Sequence, residues 1–141
     1  MISLSKKILF VDDEESQIKL MKNIFYRMGY DAEFAKSAKE ALEILDNQDI
    51  SIVLTDLQMP EMDGAELCKR IREKCSKIVI YGFSGDLIGV DPDHLEDIGF
   101  DGLLCKPVKL AVLQRAIEGA FEKIDRSRGA QEWHMKLTGS C

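Results

Sequence analysis

Apolar runs of four to six residues alternate with amphipathic stretches along most of the chain. Three of the runs, at residues 7–11, 52–55 and 78–83, are almost continuously apolar, as strands buried on both faces are. A fourth, at 31–35, alternates as an edge strand does, and a fifth lies at 102–105. The pattern predicts five strands, each separated from the next by a helix.

The stretches between these strands have helical spacing. Apolar residues recur at intervals of three and four from Ile18 to Met28, and again from Leu110 to Ile124, after which the periodicity stops near Arg126. Shorter patterns predict three further helices. Residues that cap helices or suit their first turn mark the predicted ends: Gly29, Ser37, Asp63, Gly64, Pro92 and Gly99. The alternation of five strands with five helices predicts a doubly wound α/β fold.

Length and composition fit one globular domain. The chain has 141 residues, of which 45% are hydrophobic and 31% charged. Its net charge of −6 disfavours binding to nucleic acid or to an anionic membrane. The apolar run at 8–11 is too short for a signal peptide or a membrane span, so we expect a cytoplasmic protein. Residues 126–141, which include Trp133, are predicted to be a tail or the start of a linker.

The four cysteines lie far apart without the spacing of a zinc site or of a disulfide framework. We expect reduced thiols that are mostly small core residues, at Cys68, Cys75, Cys105 and Cys141.

Polar side chains follow four of the predicted strands, at the points where the strands end. Because the carboxyl ends of parallel strands meet at one edge of a sheet, these side chains should share one crevice. They are Asp12, Asp13 and Glu14 after the first strand, Asp56 after the third, Ser84 after the fourth and Lys106 after the fifth.

The chemistry of this set indicates phosphoryl transfer. Several carboxylates in one crevice repel one another unless a cation neutralises them, and their oxygens suit a hard divalent ion such as Mg²⁺. A lysine and a hydroxyl suit an anion instead. The chain has no glycine-rich phosphate loop, Cys–His pair or GxSxG motif, so Asp56, alone at the end of the central strand, is the best candidate nucleophile.

At these residues the chain resembles the receiver domains of response regulators in bacterial two-component signalling. The matching segments are VDDEE (11–15), VLTDLQMPEMDG (53–64), GFSG (82–85) and LLCKP (103–107), and the similarity extends from about residue 7 to residue 124. The resemblance implies a flavodoxin-like five-stranded parallel sheet in the order 2-1-3-4-5, and it makes residues 1–125 a phosphoacceptor domain.

The resemblance also implies a role for each of these aspartates. Asp56 would accept the phosphoryl group. Asp12 and Asp13 would hold Mg²⁺ together with Asp56 and the backbone carbonyl of Gln58.

The remaining implied roles concern the switch. Ser84 would turn its hydroxyl toward the phosphoryl group, and Lys106 would pair with the phosphate, next to a cis bond to Pro107. Two positions depart from the family pattern. Leu103 stands where an aromatic residue is usual, so a response with little ring rotation is expected there, and Gly85 replaces a common small residue such as Ala, which loosens the loop.

The implied function is a signalling switch and not a turnover enzyme. The domain would receive a phosphoryl group from a sensor histidine kinase or a phosphotransfer protein, assist its own phosphorylation and dephosphorylation, and present a changed surface to a downstream protein. Direct nucleic-acid binding and membrane insertion are not expected. A relay shuttle, a stand-alone regulator and a piece of a longer regulator or hybrid kinase all fit this reading.

Two other functions use a similar fold or similar residues. An Mg²⁺-dependent phosphatase with an aspartate nucleophile would carry Asp-x-Asp after the first strand, where this chain has adjacent acids. An FMN-binding carrier would have a loop rich in Ser, Thr and Gly there, whereas this loop is DDEES. The phosphatase is the alternative that we retain.

Overall fold

A computed structural model describes residues 6–86 and 89–138, of which residues 127–138 are described as backbone only. Five parallel strands form one sheet in the order β2-β1-β3-β4-β5, which confirms the expected topology. Each strand lies within one residue of its predicted bounds. The strands are β1 (Ile8–Val11), β2 (Ala32–Ala35), β3 (Ile52–Asp56), β4 (Val79–Ser84) and β5 (Gly102–Cys105).

The helices begin and end at the residues that the sequence marks. Ser37 accepts a hydrogen bond from the N–H of Glu40, Asp63 caps the third helix in the same way, and Gly29 ends the first helix with a φ of 78°. The helices are α1 (Glu15–Met28), α2 (Ala38–Asn47), α3 (Gly64–Lys74), α4 (Pro92–Ile98) and α5 (Leu110–Thr138).

Helix α5 extends beyond its predicted end. Among the side chains described, up to residue 126, the last buried residue is Ile124, yet the backbone remains helical to Thr138, so the predicted end near Arg126 is wrong. Amphipathic spacing detects only the part of a helix that packs on a core. The residues that follow include several strong helix formers, and these sustain a helix without that spacing. The assignment of 126–141 as a tail or linker stays a prediction, and the side chain of Trp133 lies outside the described part.

The sheet separates two hydrophobic cores. One lies under α1 and α5, where the ring of Phe10 packs edge-on against Phe25 and Phe83 at centroid distances of 6.4 and 5.8 Å. The other lies under α2, α3 and α4 and includes Leu67 and Ile80. Because β1 and β3 are buried along their whole length, their carboxyl ends hold the following residues in fixed positions. None of the described helices combines the length and hydropathy of a membrane span.

The three described cysteines are free, as expected, but they differ in burial. Cys68 is buried, Cys75 is half-buried and Cys105 is exposed. The expectation of mostly core positions is therefore wrong among these three, because Cys105 lies at the end of an edge strand where the core no longer covers it. Cys141 lies outside the described residues.

Candidate functional site

Three carboxylates meet at the carboxyl edge of the sheet. Asp12 and Asp13 follow β1, Asp56 is the last residue of β3, and one oxygen of each lies within 4.8 Å of the others. Asp12 is fully buried and Asp56 is 7% exposed, whereas Asp13 is exposed. Asp12 also accepts a hydrogen bond from the N–H of Glu14 at 2.9 Å, which fixes the turn out of β1. The set has the ligand chemistry of a site for a hard cation.

Lys106 joins two of these carboxylates. Its Nζ lies 3.1 Å from Oδ2 of Asp12 and 3.3 Å from Oδ2 of Asp56. Burial alone would lower the pKa of Lys106, but the hydrogen bond and charge of Asp12, with the charge of Asp56, raise the pKa overall. Lys106 is thus held as a cation in the crevice, and its peptide bond to Pro107 is cis, as the resemblance implies.

The environment of Asp56 raises the pKa of its carboxyl above the ordinary value of 3.8. Burial is the largest cause, and the charge of Asp12 adds to it. The N–H of Gln58, 3.3 Å from Oδ1, and the nearby Lys106 act in the opposite direction. Asp56 is therefore a poorly hydrated carboxylate with a fixed orientation, and Gln58 contributes to that orientation through its backbone.

Ser84 ends β4, the strand next to β3, and is 3% exposed. Its hydroxyl donates to the backbone carbonyl of Asp86 at 2.8 Å and accepts from the N–H of Asp86 at 3.2 Å. In this conformation the hydroxyl is engaged within its own loop. Ser84 therefore occupies the predicted strand end, and its hydroxyl is bonded to Asp86.

Backbone contacts hold the loop from Asp56 to α3 in place. The N–H of Gly64 donates to the carbonyl of Leu57 at 3.0 Å. A Cβ at Gly64 would lie 2.3 Å from the carbonyl oxygen of Asp56, so only glycine allows α3 to begin this close to β3. Glu61, at the tip of the loop, has a φ of 69°, a conformation that non-glycine residues rarely adopt.

The two positions that depart from the family pattern differ in their surroundings. Leu103 on β5 is half-buried and packs against the core under α2, α3 and α4. Gly85 is exposed, and a Cβ there would meet nothing within 4 Å.

Sequence reasoning missed one charged network, formed by Arg72, Asp101 and Lys123 at the opposite edge of the sheet. An arginine in the last turn of a helix is usually solvated, so the sequence offered no reason to single out Arg72. The one signal in the sequence was Gly99. It was recognised as the residue that ends a helix, but its contact with Arg72 was not predicted.

Comparison with known proteins decides the family. The family model described as the response regulator receiver domain matches residues 8–118. The chain belongs to that family. Receiver domains are signalling domains of two-component systems, which pair with histidine kinases and act as phosphorylation-dependent switches.

Similar proteins include kinases and regulators. The sensor histidine kinase RcsC of Escherichia coli is 31% identical over 121 residues, a match that covers 86% of this chain and 13% of that protein. The nisin biosynthesis regulatory protein NisR of Lactococcus lactis is 30% identical over 126 residues, covering 88% of this chain and 54% of NisR. The chain therefore spans only part of the relatives that it matches.

Solved structures share the fold. A CheY-like receiver domain protein from Methanospirillum hungatei has a TM-score of 0.76 at 26% identity, covering 88% of this chain and 99% of that one. A structure described as an adenylate cyclase from Rhodopirellula baltica has a TM-score of 0.86 and covers 96% of this chain and all of its own, at 23% identity. At that identity the second likeness concerns the fold alone.

Proposed function

We propose that this domain takes a phosphoryl group from the phosphohistidine of a sensor histidine kinase, or of a phosphotransfer protein, onto Asp56. The observation that carries the proposal is the position of Lys106, whose Nζ lies 3.1 and 3.3 Å from oxygens of Asp12 and Asp56. A buried carboxylate with a cation beside it can receive a dianionic group that the same cation then binds. The proposal places the domain in the cytoplasm, where ATP supplies the phosphoryl groups.

The transfer depends mainly on positioning the attacking carboxylate and neutralising the charge of the phosphoryl group, and less on acid–base chemistry. An Oδ atom of Asp56 attacks the phosphorus, the P–N bond to the donor imidazole breaks, and the bonding electron pair stays on the nitrogen. The products are an aspartyl phosphate and a free histidine side chain. Gln58 orients the attacking carboxylate through its N–H, and Lys106 neutralises charge on the group as it moves.

The acidic cluster is suited to the cation that this transfer requires. Asp12, Asp13 and Asp56 would hold Mg²⁺, with the backbone carbonyl of Gln58 as a further ligand. Their oxygens are hard donors, and a single lysine leaves the negative charge of three carboxylates only partly neutralised. When bound, Mg²⁺ supplies further neutralisation of the phosphoryl oxygens.

The response begins at Ser84. Its hydroxyl leaves Asp86 and donates to the phosphoryl group, while Lys106 turns from Asp12 toward the same group, so the loops after β4 and β5 move inward. The surface formed by α4, β5 and α5 then changes shape for a downstream protein. The domain assists its own dephosphorylation through the same residues and is not a turnover enzyme.

The test uses acetyl phosphate with Mg²⁺ and intact mass spectrometry. We expect one added phosphoryl group on the parent protein and on Glu61→Gln, an exposed carboxylate variant in the same loop, and none on Asp56→Asn. Full phosphorylation of Asp56→Asn would refute the assignment. Sustained release of phosphate from a panel of phosphomonoesters would favour the phosphatase alternative instead.

A further inference from the structure

The guanidinium of Arg72, in the last turn of α3, uses all five of its N–H donors. Nε and Nη2 donate to the carbonyl of Gly99 at 2.9 and 2.7 Å. Nη1 donates to the carbonyls of Ser76 and Ile78, and Nη2 also donates to Oδ2 of Asp101 at 2.8 Å. One side chain thereby joins α3 to the start of β4 and to the loop between α4 and β5.

Asp101 extends this connection. Its Oδ2 accepts from the N–H of Ile80 at 2.8 Å as well as from Arg72, and its Oδ1 accepts from Nζ of Lys123 on α5. The side chains of Arg72 and Asp101 are only 19% and 16% exposed, so water screens this ion pair less than it screens a surface pair. Arg72, Asp101 and Lys123 form what we call the basal network.

The C-terminal end of α4 is built into the basal network. Gly99 caps α4, and its carbonyl is the oxygen that receives two bonds from Arg72. The φ of Gly99 is +128°, and a Cβ there would lie 2.7 Å from Cγ of Arg72. Both the backbone conformation and the close approach of Arg72 therefore require glycine at this position.

The N-terminal end of α4 is held differently. Its cap is Asp91, whose side chain accepts from the N–H of Asp93, a contact local to the first turn of the helix. Leu95 is the buried residue of α4. This end of α4 follows the loop that begins at Ser84, which is the loop that responds to phosphorylation under the proposed function.

We propose that the basal network is a pivot: it fixes the C-terminal end of α4 at Gly99, so that displacement of the loop after Ser84 tilts the helix about that point. The inference rests on the proposed function and adds positioning residues to it. Val79 and Ser84, the two ends of β4, are five residues apart in sequence, which separates the two edges of the sheet by about 17 Å at ~3.3 Å per residue. Arg72 thus acts on the surface formed by α4, β5 and α5 without contacting the phosphoryl group.

The experiment compares backbone amide NMR shifts with and without beryllofluoride and Mg²⁺, a mimic of the phosphoryl group. In the parent we expect shift changes along α4 that are at least threefold larger at Asp93 and His94 than at Gly99 and Phe100. In Arg72→Lys and in the isosteric Asp101→Asn, this ratio should fall toward one while residues 84–86 respond as in the parent. Arg70→Lys, an exposed neighbour paired with Glu66, is the matched control and should keep the parent ratio.

The outcomes that refute the pivot differ from the one that refutes the proposed function. An unchanged ratio in both network variants refutes the pivot, and so does a parent that responds at residues 84–86 but shows equal changes along α4. The second result does not depend on the folding of any variant. A parent with no response at residues 84–86 refutes the proposed function itself.

Discussion

The hydroxyl of Ser84 donates to the backbone carbonyl of Asp86 across 2.8 Å and accepts from the N–H of the same residue. These two bonds hold the start of the loop after β4 in the resting structure. Under the proposed function the hydroxyl of Ser84 leaves Asp86, and both bonds are then broken. On the same proposal, this movement would release the loop and give the phosphoryl group its hydrogen-bond donor.

We expect Ser84→Ala to accept a phosphoryl group on Asp56 while its conformational response shrinks, because the lost contact is one made in the active state. NMR shift changes across α4 and α5 on adding beryllofluoride measure the response. Ser84→Thr keeps the hydroxyl and should keep the response. Undiminished shifts in Ser84→Ala would show that this hydroxyl is not the switch.

We expect Asp56→Asn to raise the free energy of unfolding at neutral pH by about 1 kcal/mol, because the amide removes a charge that burial disfavours. The folded-state pKa of Asp56 lies above 3.8, so the protonated carboxyl stabilises the fold at low pH, and this contribution is lost as the pH rises through the folded pKa. The advantage of Asn should therefore vanish below about pH 4 and grow above it.

Urea unfolding without Mg²⁺ at about pH 3.5 and about pH 7 measures this pH dependence. Glu14→Gln, at an exposed carboxylate nearby, is the control and should change stability little at either pH. A destabilised Asp56→Asn at neutral pH would mean that the ion pair with Lys106 outweighs the cost of burial.

Asp13→Asn should weaken Mg²⁺ binding at least tenfold, since Asp13 belongs to the carboxylate cluster and loses a charged ligand oxygen. Glu14→Gln removes the same charge from the adjacent residue and should weaken binding less than about twofold. Calorimetric titration with Mg²⁺ compares them. Equal losses would refute the assignment of Asp13 as a ligand.

Gly64→Ala should destabilise the fold by about 2–3 kcal/mol, because its Cβ would lie 2.3 Å from the Asp56 carbonyl oxygen and would force α3 away from β3. Gly85→Ala is the matched substitution in open space and should change stability by less than about 0.5 kcal/mol. Urea unfolding of both variants measures the difference. Similar losses at the two positions would contradict the packing at Gly64.

The sequence predicted the parts of the fold that depend on burial. Strands β1 and β3 were found because both of their faces are apolar, and Gly29 ended α1 because its left-handed conformation favours glycine. The extension of α5 past Ile124 was missed, since the amphipathic pattern stops near Arg126 and helix propensity alone leaves no such pattern.

For the site, the sequence predicted which residues lie together but not the contacts that their side chains make. Asp12 and Lys106 follow parallel strands and Asp56 ends one, so topology alone brings them to one edge. The contacts of Ser84 within its own loop and the five bonds of Arg72 depend on local geometry and on partners far along the chain, neither of which spacing encodes.

The absence of a side chain at Gly82 lets side chains from two segments, one just after Asp56 and one around β5, approach the same point of β4. A Cβ at Gly82 would lie 2.8 Å from Leu57, 3.1 Å from Leu103 and 3.2 Å from Phe100, so these three side chains share the space above one glycine. Leu57 directly follows Asp56, whereas Phe100 precedes β5 and Leu103 lies on β5. An aromatic ring at position 103 would compete with Leu57 and Phe100 for this volume. Gly82 and Leu103 are thus matched in size. An aromatic ring introduced at position 103 alone would enter a space that Leu57 and Phe100 already fill.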